Sequence, residues 1–116
     1  MKLIITTFVS LALLFGSAAA FSHSSNMSSM PRQGGIYAEP LETIQLMFGS
    51  PTRLIKLTLE QDNGNDITLD FTPSATPQNA FSLPMPPLSA GKYSLKWMVL
   101  GNDGHKMKGH VRFIQQ

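Results

Sequence analysis

The chain has 116 residues, carries a formal net charge of +2 and contains no cysteine. Its nine basic side chains are nearly balanced by seven acidic ones, so it lacks the basic excess expected of a nucleic-acid-binding protein. Without cysteine it has no disulfides, thiolate metal sites or cysteine catalysis. We therefore expect one small domain that must bury its apolar core efficiently.

The N-terminal segment, residues 1–22, has the layout of a secretory signal peptide. A positive residue, Lys2, is followed by an apolar stretch to Phe15 and then by small residues. The apolar stretch is shorter than the roughly 20 residues that span a bilayer, so we expect cleavage and export and no membrane insertion of the mature chain.

Two cleavage positions satisfy the preference of signal peptidases for small residues. Cleavage after Ser22 leaves His23 at the new N-terminus and residues 23–116 as the mature domain. Cleavage after Ala20 leaves His23 in third position. The residues around the two positions do not decide between them.

Beyond residue 22, apolar residues alternate with others, as in strands that bury one face. They form four segments: Ile44, Leu46 and Phe48; Ile55, Leu57 and Leu59; Ile67, Leu69 and Phe71; and Tyr93, Leu95, Trp97 and Val99. Turn signals separate them at 49–51, 62–65, 72–74 and 90–91. The pattern predicts an all-β, immunoglobulin-like antiparallel β-sandwich with Greek-key connections and about seven strands. Three prolines, Pro84, Pro86 and Pro87, indicate an edge or a loop.

A short polar segment, Asp103-Gly104-His105, lies between the run that ends at Leu100 and a final run at 111–113. An Asp and a His two residues apart can both reach one metal ion, and such ligands suit Cu(II) or, in tetrahedral geometry, zinc. From the residues alone, a turn in which the Asp bonds to the backbone is the better explanation. His110 alternates with the core-facing Val111, so we expect it to be exposed.

Several further segments occur together with this one. They are His23, Ser29-Met30-Pro31, Gly34, Pro40, residues 44–48, residues 88–97 and residues 103–113. The most specific is the last, in which a hydrophobic run leads into Asp-Gly-His and is followed by Gly and an aromatic strand. Together these segments resemble the CopC-type periplasmic copper-resistance proteins over nearly the whole mature chain. The resemblance favours cleavage after Ser22, since mature members of that family begin with a histidine.

The resemblance implies a Cu(II) site formed by His23, Asp103 and His105. A terminal His23 would chelate copper through its amine and its ring, and the other two side chains would complete a tetragonal set of nitrogen and oxygen ligands. It also implies a periplasmic, non-enzymatic protein that sequesters or delivers Cu(II) in copper homeostasis. An inner-membrane copper transporter is its candidate partner.

Thioethers suit Cu(I), but the methionines of this chain are not clustered, so we expect a protein that binds only Cu(II). Family members with a Cu(I) site resemble one another in a methionine-rich segment, whereas the corresponding stretch here, 71–87, contains only Met85. Met47 and Met98 lie in predicted strands, where we expect them to be packing residues. Met27 and Met30, near the mature terminus, are weaker candidates to assist copper.

Other functions stay open. A terminal histidine with a second histidine on a sandwich also resembles the histidine brace of copper polysaccharide monooxygenases, although a carboxylate ligand leaves less room for oxygen chemistry. A metal-free immunoglobulin-like accessory domain is compatible with the fold. If cleavage follows Ala20, the amine, two backbone amides and the imidazole of His23 could hold Cu(II) in a plane without Asp103 or His105.

Overall fold

A computed structural model describes residues 27–116, and these residues form strands joined by turns and loops. The seven strands of this part are β1 (Ser28–Met30), β2 (Gly35–Tyr37), β3 (Thr43–Gln61), β4 (Asp66–Ile67), β5 (Gln78–Pro84), β6 (Gly91–Gly101) and β7 (Lys106–Gln115). Across the same residues, no helix is long and apolar enough to cross a membrane. The predicted signal peptide and His23 lie outside the described residues.

The long strand β3 joins the two halves of the fold. Up to Met47 it lies between β1 and β5, and both pairs are antiparallel. From Thr52 onward it pairs with β6, with Thr52 opposite Gly101. The turn predicted at 49–51 is therefore wrong, because the strand continues through this segment while its main partner changes. Gly and Pro mark such a corner as readily as they mark a turn.

A bulge in β3 changes which residues face the core. The register shifts between Leu54 and Lys56, so one extra residue is inserted opposite β6. Leu54 is buried before the bulge and Leu57 after it, whereas Ile55 is only half-buried. The prediction that Ile55 faces the core is wrong for this reason.

The strand order is β1-β3-β6-β7-β2, with β4 and β5 also paired to β3. Strands β6 and β7 form an antiparallel hairpin, and β2 adds to β7 in parallel, with Gly35 opposite Phe113. The all-β, seven-stranded prediction is confirmed. Among residues 27–116 the pair of β2 with β7 is the only parallel one, and it forms where the chain passes from β1, which pairs with β3, to β2, which pairs with β7.

Two predicted segments differ in extent from the observed strands. Of the predicted segment from Ile67 to Phe71, only Ile67 lies in a strand, β4 (Asp66–Ile67). Leu69 and Phe71 nevertheless pack against the core. The proline-rich stretch is confirmed as an edge or loop, since β5 ends at Pro84 and, within residues 27–116, pairs with β3 alone.

The core is formed by side chains from both halves of β3 and from the β6–β7 hairpin, together with Met85. Its buried apolar residues are Ile44, Leu46, Leu54, Leu57, Leu59, Met85, Tyr93, Leu95, Trp97, Val99, Val111 and Phe113. Trp97 is in the core, as its phase with Tyr93 and Leu95 predicts. Its indole covers Gly109, because a Cβ at that glycine would lie 2.4 Å from Trp97 Cε2. This packing holds the hairpin whose turn carries Asp103 and His105.

Candidate metal site

The connection between β6 and β7, residues 102–105, is a tight turn, which we call the D-G-H turn. The backbone N–H of Gly101 donates to the carbonyl of His105 at 2.9 Å, and the N–H of Gly104 donates to the carbonyl of Gly101 at 3.0 Å. Gly104 has a φ of 83°, in the left-handed region that a residue with a side chain adopts only at a cost. These hydrogen bonds therefore fix the backbone positions of the turn residues.

Asp103 and His105 contact each other through both carboxylate oxygens. Oδ1 accepts a hydrogen bond from the backbone N–H of His105 at 3.0 Å, and Oδ2 lies 3.0 Å from its ring atom Nδ1. Both side chains are exposed, that of Asp103 by 66% and that of His105 by 82%. The structure thus brings together two of the three residues that the sequence predicts as ligands.

The backbone N–H of His105 favours the ionised form of the Asp103 carboxyl group. Its hydrogen bond is the main reason that the pKa of Asp103 lies below the ordinary value of 3.8, and the nearby charge of His105 acts in the same direction. The carboxylate is therefore ionised at neutral and mildly acidic pH. An ionised carboxylate beside an imidazole is a suitable pair of ligands for a divalent cation such as Cu(II).

The turn and ligand interpretations of Asp103 describe the same geometry. The bond from Oδ1 to the backbone is the one expected of a simple turn, and it uses only one of the two oxygens. The second oxygen, Oδ2, faces the His105 ring, as carboxylates that orient metal-binding histidines do, and it is exposed to solvent and to an approaching ion. The turn structure thus does not compete with metal binding.

Two side chains alone do not complete the coordination sphere of a metal ion. Within residues 27–116, no group of three or more His, Asp or Glu side chains is placed to hold a metal ion. His110 lies exposed on β7, opposite Lys96, as predicted. The third predicted ligand, His23, lies outside the described residues. A site that uses the D-G-H turn therefore needs at least one ligand from elsewhere.

An open groove of about 1020 Å³ extends from the N-terminal end of the described chain towards the turn. Met27, Thr52, Trp97 and Met107 are among the residues that line it. Thr52 is buried opposite Gly101, and its Oγ1 has no hydrogen-bond partner among the described residues. Met27, the first described residue, is thus in the same groove as residues next to the D-G-H turn.

The methionines only partly follow the sequence prediction. Met85 is buried in the core and Met98 is half-buried, but Met47 is 54% exposed, so its prediction as a packing residue is wrong. It follows Leu46 on β3, and strand alternation directs it away from the core. Met107, which the sequence did not single out, is 47% exposed next to the turn.

The fold and the site together define a candidate metal-binding β-sandwich, with an Asp–His pair on the turn before its last strand. Comparisons with known proteins identify its family. The CopC domain model matches residues 26–116. The chain therefore belongs to the CopC family.

Two relatives carry the name Copper resistance protein C. The one from Xanthomonas campestris pv. juglandis is 31% identical over 119 residues, which cover 95% of this chain and 93% of the relative. The one from Escherichia coli is 30% identical over 112 residues, covering 87% and 88%. The crystal structure of CopC from Methylosinus trichosporium OB3b has the same fold, with a TM-score of 0.62 and 21% identity over 77% of this chain and 89% of that one. Copper resistance is thus the functional class of this chain, and copper is the ion concerned.

Proposed function

We propose that the mature protein binds Cu(II) in the periplasm through His23, Asp103 and His105, and that it sequesters or delivers this ion. The observation that carries the proposal is the pair formed by Asp103 and His105, whose side chains meet at 3.0 Å on an exposed turn. Membership of the CopC family identifies copper as the ion to test first.

The predicted cleavage after Ser22 supplies the remaining ligands. A free amine and an imidazole from His23, with the second imidazole and the carboxylate of the D-G-H turn, make a nitrogen and oxygen set that suits the tetragonal geometry of Cu(II). Four residues extend roughly 13–14 Å. His23 can therefore lie up to that distance from Met27, which lines the same groove as Met107 beside the turn.

The exposure of the pair supports binding and transfer as opposed to turnover. With side chains 66% and 82% exposed, an ion held at the turn would be accessible to a second protein. We propose an inner-membrane copper transporter as that partner. The groove near the pair is open, and the relatives of this chain are named for copper resistance, so we propose that the protein is not an enzyme.

The first experiment is the intact mass of the exported protein, because it identifies the N-terminal residue directly. A chain that begins at His23 is expected. A chain that begins at Phe21 would favour the alternative in which His23, in third position, holds Cu(II) with backbone amides and Asp103 and His105 are not needed.

The second experiment is a competition titration of Cu(II) against a chelator. We expect one tightly bound ion, and an affinity loss of about 100-fold or more for His105→Ala or for one residue added before His23, since each removes ligands directly. His110→Ala is the matched control, because His110 is an exposed histidine that lines the same groove but is not one of the three proposed ligands, and this variant should bind as the wild type does. Unchanged affinity in both site variants would reject the site, and tighter zinc than copper binding would reject the metal. Reductant-dependent peroxide formation by the copper-loaded protein would favour the oxidative enzyme instead.

A further inference from the structure

Met107 is a large apolar side chain in a position that packing does not explain. On β7 it alternates in phase with Val111 and Phe113, which are buried, and it lies opposite the buried Val99. Yet Met107 is 47% exposed and lines the open groove. Its strand position directs it to the inner face of the sheet, where the second half of the sandwich does not cover it.

Gly101 brings this side chain next to the D-G-H turn. A Cβ at Gly101 would lie 2.9 Å from Asp103 Oδ1, 3.6 Å from the His105 carbonyl oxygen and 3.7 Å from Met107 Cε. The Asp103 carboxylate and the Met107 methyl group are therefore both within 4 Å of the position that a Cβ at Gly101 would occupy. Since glycine has no side chain, nothing attached to Gly101 separates them.

The methionine sulfur is bonded to that methyl group. Methionine has three rotatable side-chain bonds and a polarisable thioether, so small rotations move its sulfur without moving the backbone. Because Met107 is half-exposed, such rotations need not disturb the core. Rotation about these bonds can therefore turn the sulfur towards an ion held by Asp103 and His105.

We propose that Met107 is a thioether ligand for copper at the D-G-H turn, weak in the Cu(II) form and stronger once the ion is Cu(I). The inference rests on the proposed copper site. Thioethers are soft ligands that suit Cu(I), whereas carboxylates suit harder ions, and a long axial methionine is compatible with Cu(II). A reductant of the ascorbate class would transfer one electron to Cu(II), releasing one proton and forming the ascorbate radical. The carboxylate would then bind the ion less tightly, and Met107 would take its place as a ligand. The protein therefore retains copper in both oxidation states.

The test compares Met107→Leu with Met47→Leu. Leucine keeps most of the side-chain volume but removes the sulfur, and Met47 is a matched control because it is 54% exposed on β3. Circular dichroism and thermal unfolding check that both variants fold. Cu(II) affinity is measured by chelator competition, and Cu(I) affinity by adding Cu(I) directly to the apoprotein with a chromogenic chelator under anaerobic conditions.

We expect Met107→Leu to lower Cu(I) affinity about tenfold or more and to change Cu(II) affinity much less, since the thioether is the soft ligand. Met47→Leu should change neither. X-ray absorption of the Cu(I) form should show a sulfur neighbour that Met107→Leu removes. If Cu(I) affinity and the sulfur signal are the same in wild type and Met107→Leu, the inference is wrong even when Cu(II) binds as proposed. If Cu(II) does not bind to the wild type, the proposed function fails, and the Cu(I) titration still decides the role of Met107.

Discussion

Replacing Gly101 by alanine should weaken Cu(II) binding while leaving the sandwich folded. The new Cβ would lie 2.9 Å from Asp103 Oδ1 and 3.6 Å from the His105 carbonyl oxygen. Among the described glycines, those with positive φ are Gly34, Gly64 and Gly104. Alanine can therefore adopt the backbone of residue 101, and the strain is confined to the contact with the Asp103 carboxylate.

The size of the effect follows from the displacement of that carboxylate. Carbon and oxygen atoms in contact are ordinarily separated by about 3.3–3.6 Å, so Oδ1 must move by roughly half an ångström. Its bond from the His105 N–H, now 3.0 Å, would lengthen beyond good hydrogen-bond geometry. Ligand sites tolerate errors of only about 0.5 Å, and loss of a supporting contact typically weakens metal binding by about 10–100-fold. That range corresponds to about 1.4–2.7 kcal/mol of binding free energy.

Competition titration of Cu(II) measures the affinity, and urea unfolding of the apoprotein measures stability. We expect the free energy of unfolding to change by less than about 1 kcal/mol, because the displaced carboxylate is exposed to water. In an Asp103→Ala background, Gly101→Ala should cost almost nothing more, since no carboxylate remains to be displaced. Wild-type affinity in Gly101→Ala, or an equal loss in the Asp103→Ala background, would refute the reasoning.

Three further measurements test the packing and the turn. Gly109→Ala should lower the free energy of unfolding by about 1–3 kcal/mol, because its Cβ would lie 2.4 Å from the Trp97 indole; an unchanged urea midpoint would show that the indole moves freely. Thr52→Val should raise the free energy of unfolding by about 1 kcal/mol, because it removes a buried hydroxyl without a partner among the described residues; a decrease would show that the hydroxyl is bonded in solution. Carbon NMR of the apoprotein should give Asp103 a pKa below 3.8, raised again by Gly101→Ala. Because the folded-state pKa is the lower one, the stabilising effect of the ionised carboxylate is present above the ordinary pKa and is lost as the pH falls through the lowered value. A midpoint at or above 3.8 would contradict the hydrogen bond.

Alternation predicts the strands well where the backbone is regular and fails where it is not. The phase of Tyr93, Leu95 and Trp97 correctly identified one face of β6 as core. The prediction for Ile55 failed because a single inserted residue reverses the faces of a strand, and nothing in the local composition shows where that residue is inserted. The composition of residues 49–51 predicts a turn and not the observed corner, because a change of strand partner depends on residues distant in the chain.

In the candidate site, too, local features could be predicted from the sequence and features that depend on strand register could not. The turn at Asp103 and His105 could be predicted from the residues because its spacing and hydrogen bond are local properties, whereas their role as ligands came from the family resemblance; the structure places the two side chains in contact. Gly101 and Met107 were missed because their proximity to the carboxylate depends on the register between β6 and β7. His23 remains a prediction from cleavage preferences and family resemblance.

The proposed site would have one half that folding forms and another that processing forms. The hairpin and the His105 N–H hold the Asp103 carboxylate ionised beside an imidazole without any metal. In the precursor, the nitrogen of His23 is part of a peptide bond, which is a far poorer ligand than a free amine. Cleavage after Ser22 would therefore create two adjacent ligands at once, the amine and a ring on the same residue. Tight copper binding would then begin only after export, so the precursor would not withdraw copper from the compartment in which it is made.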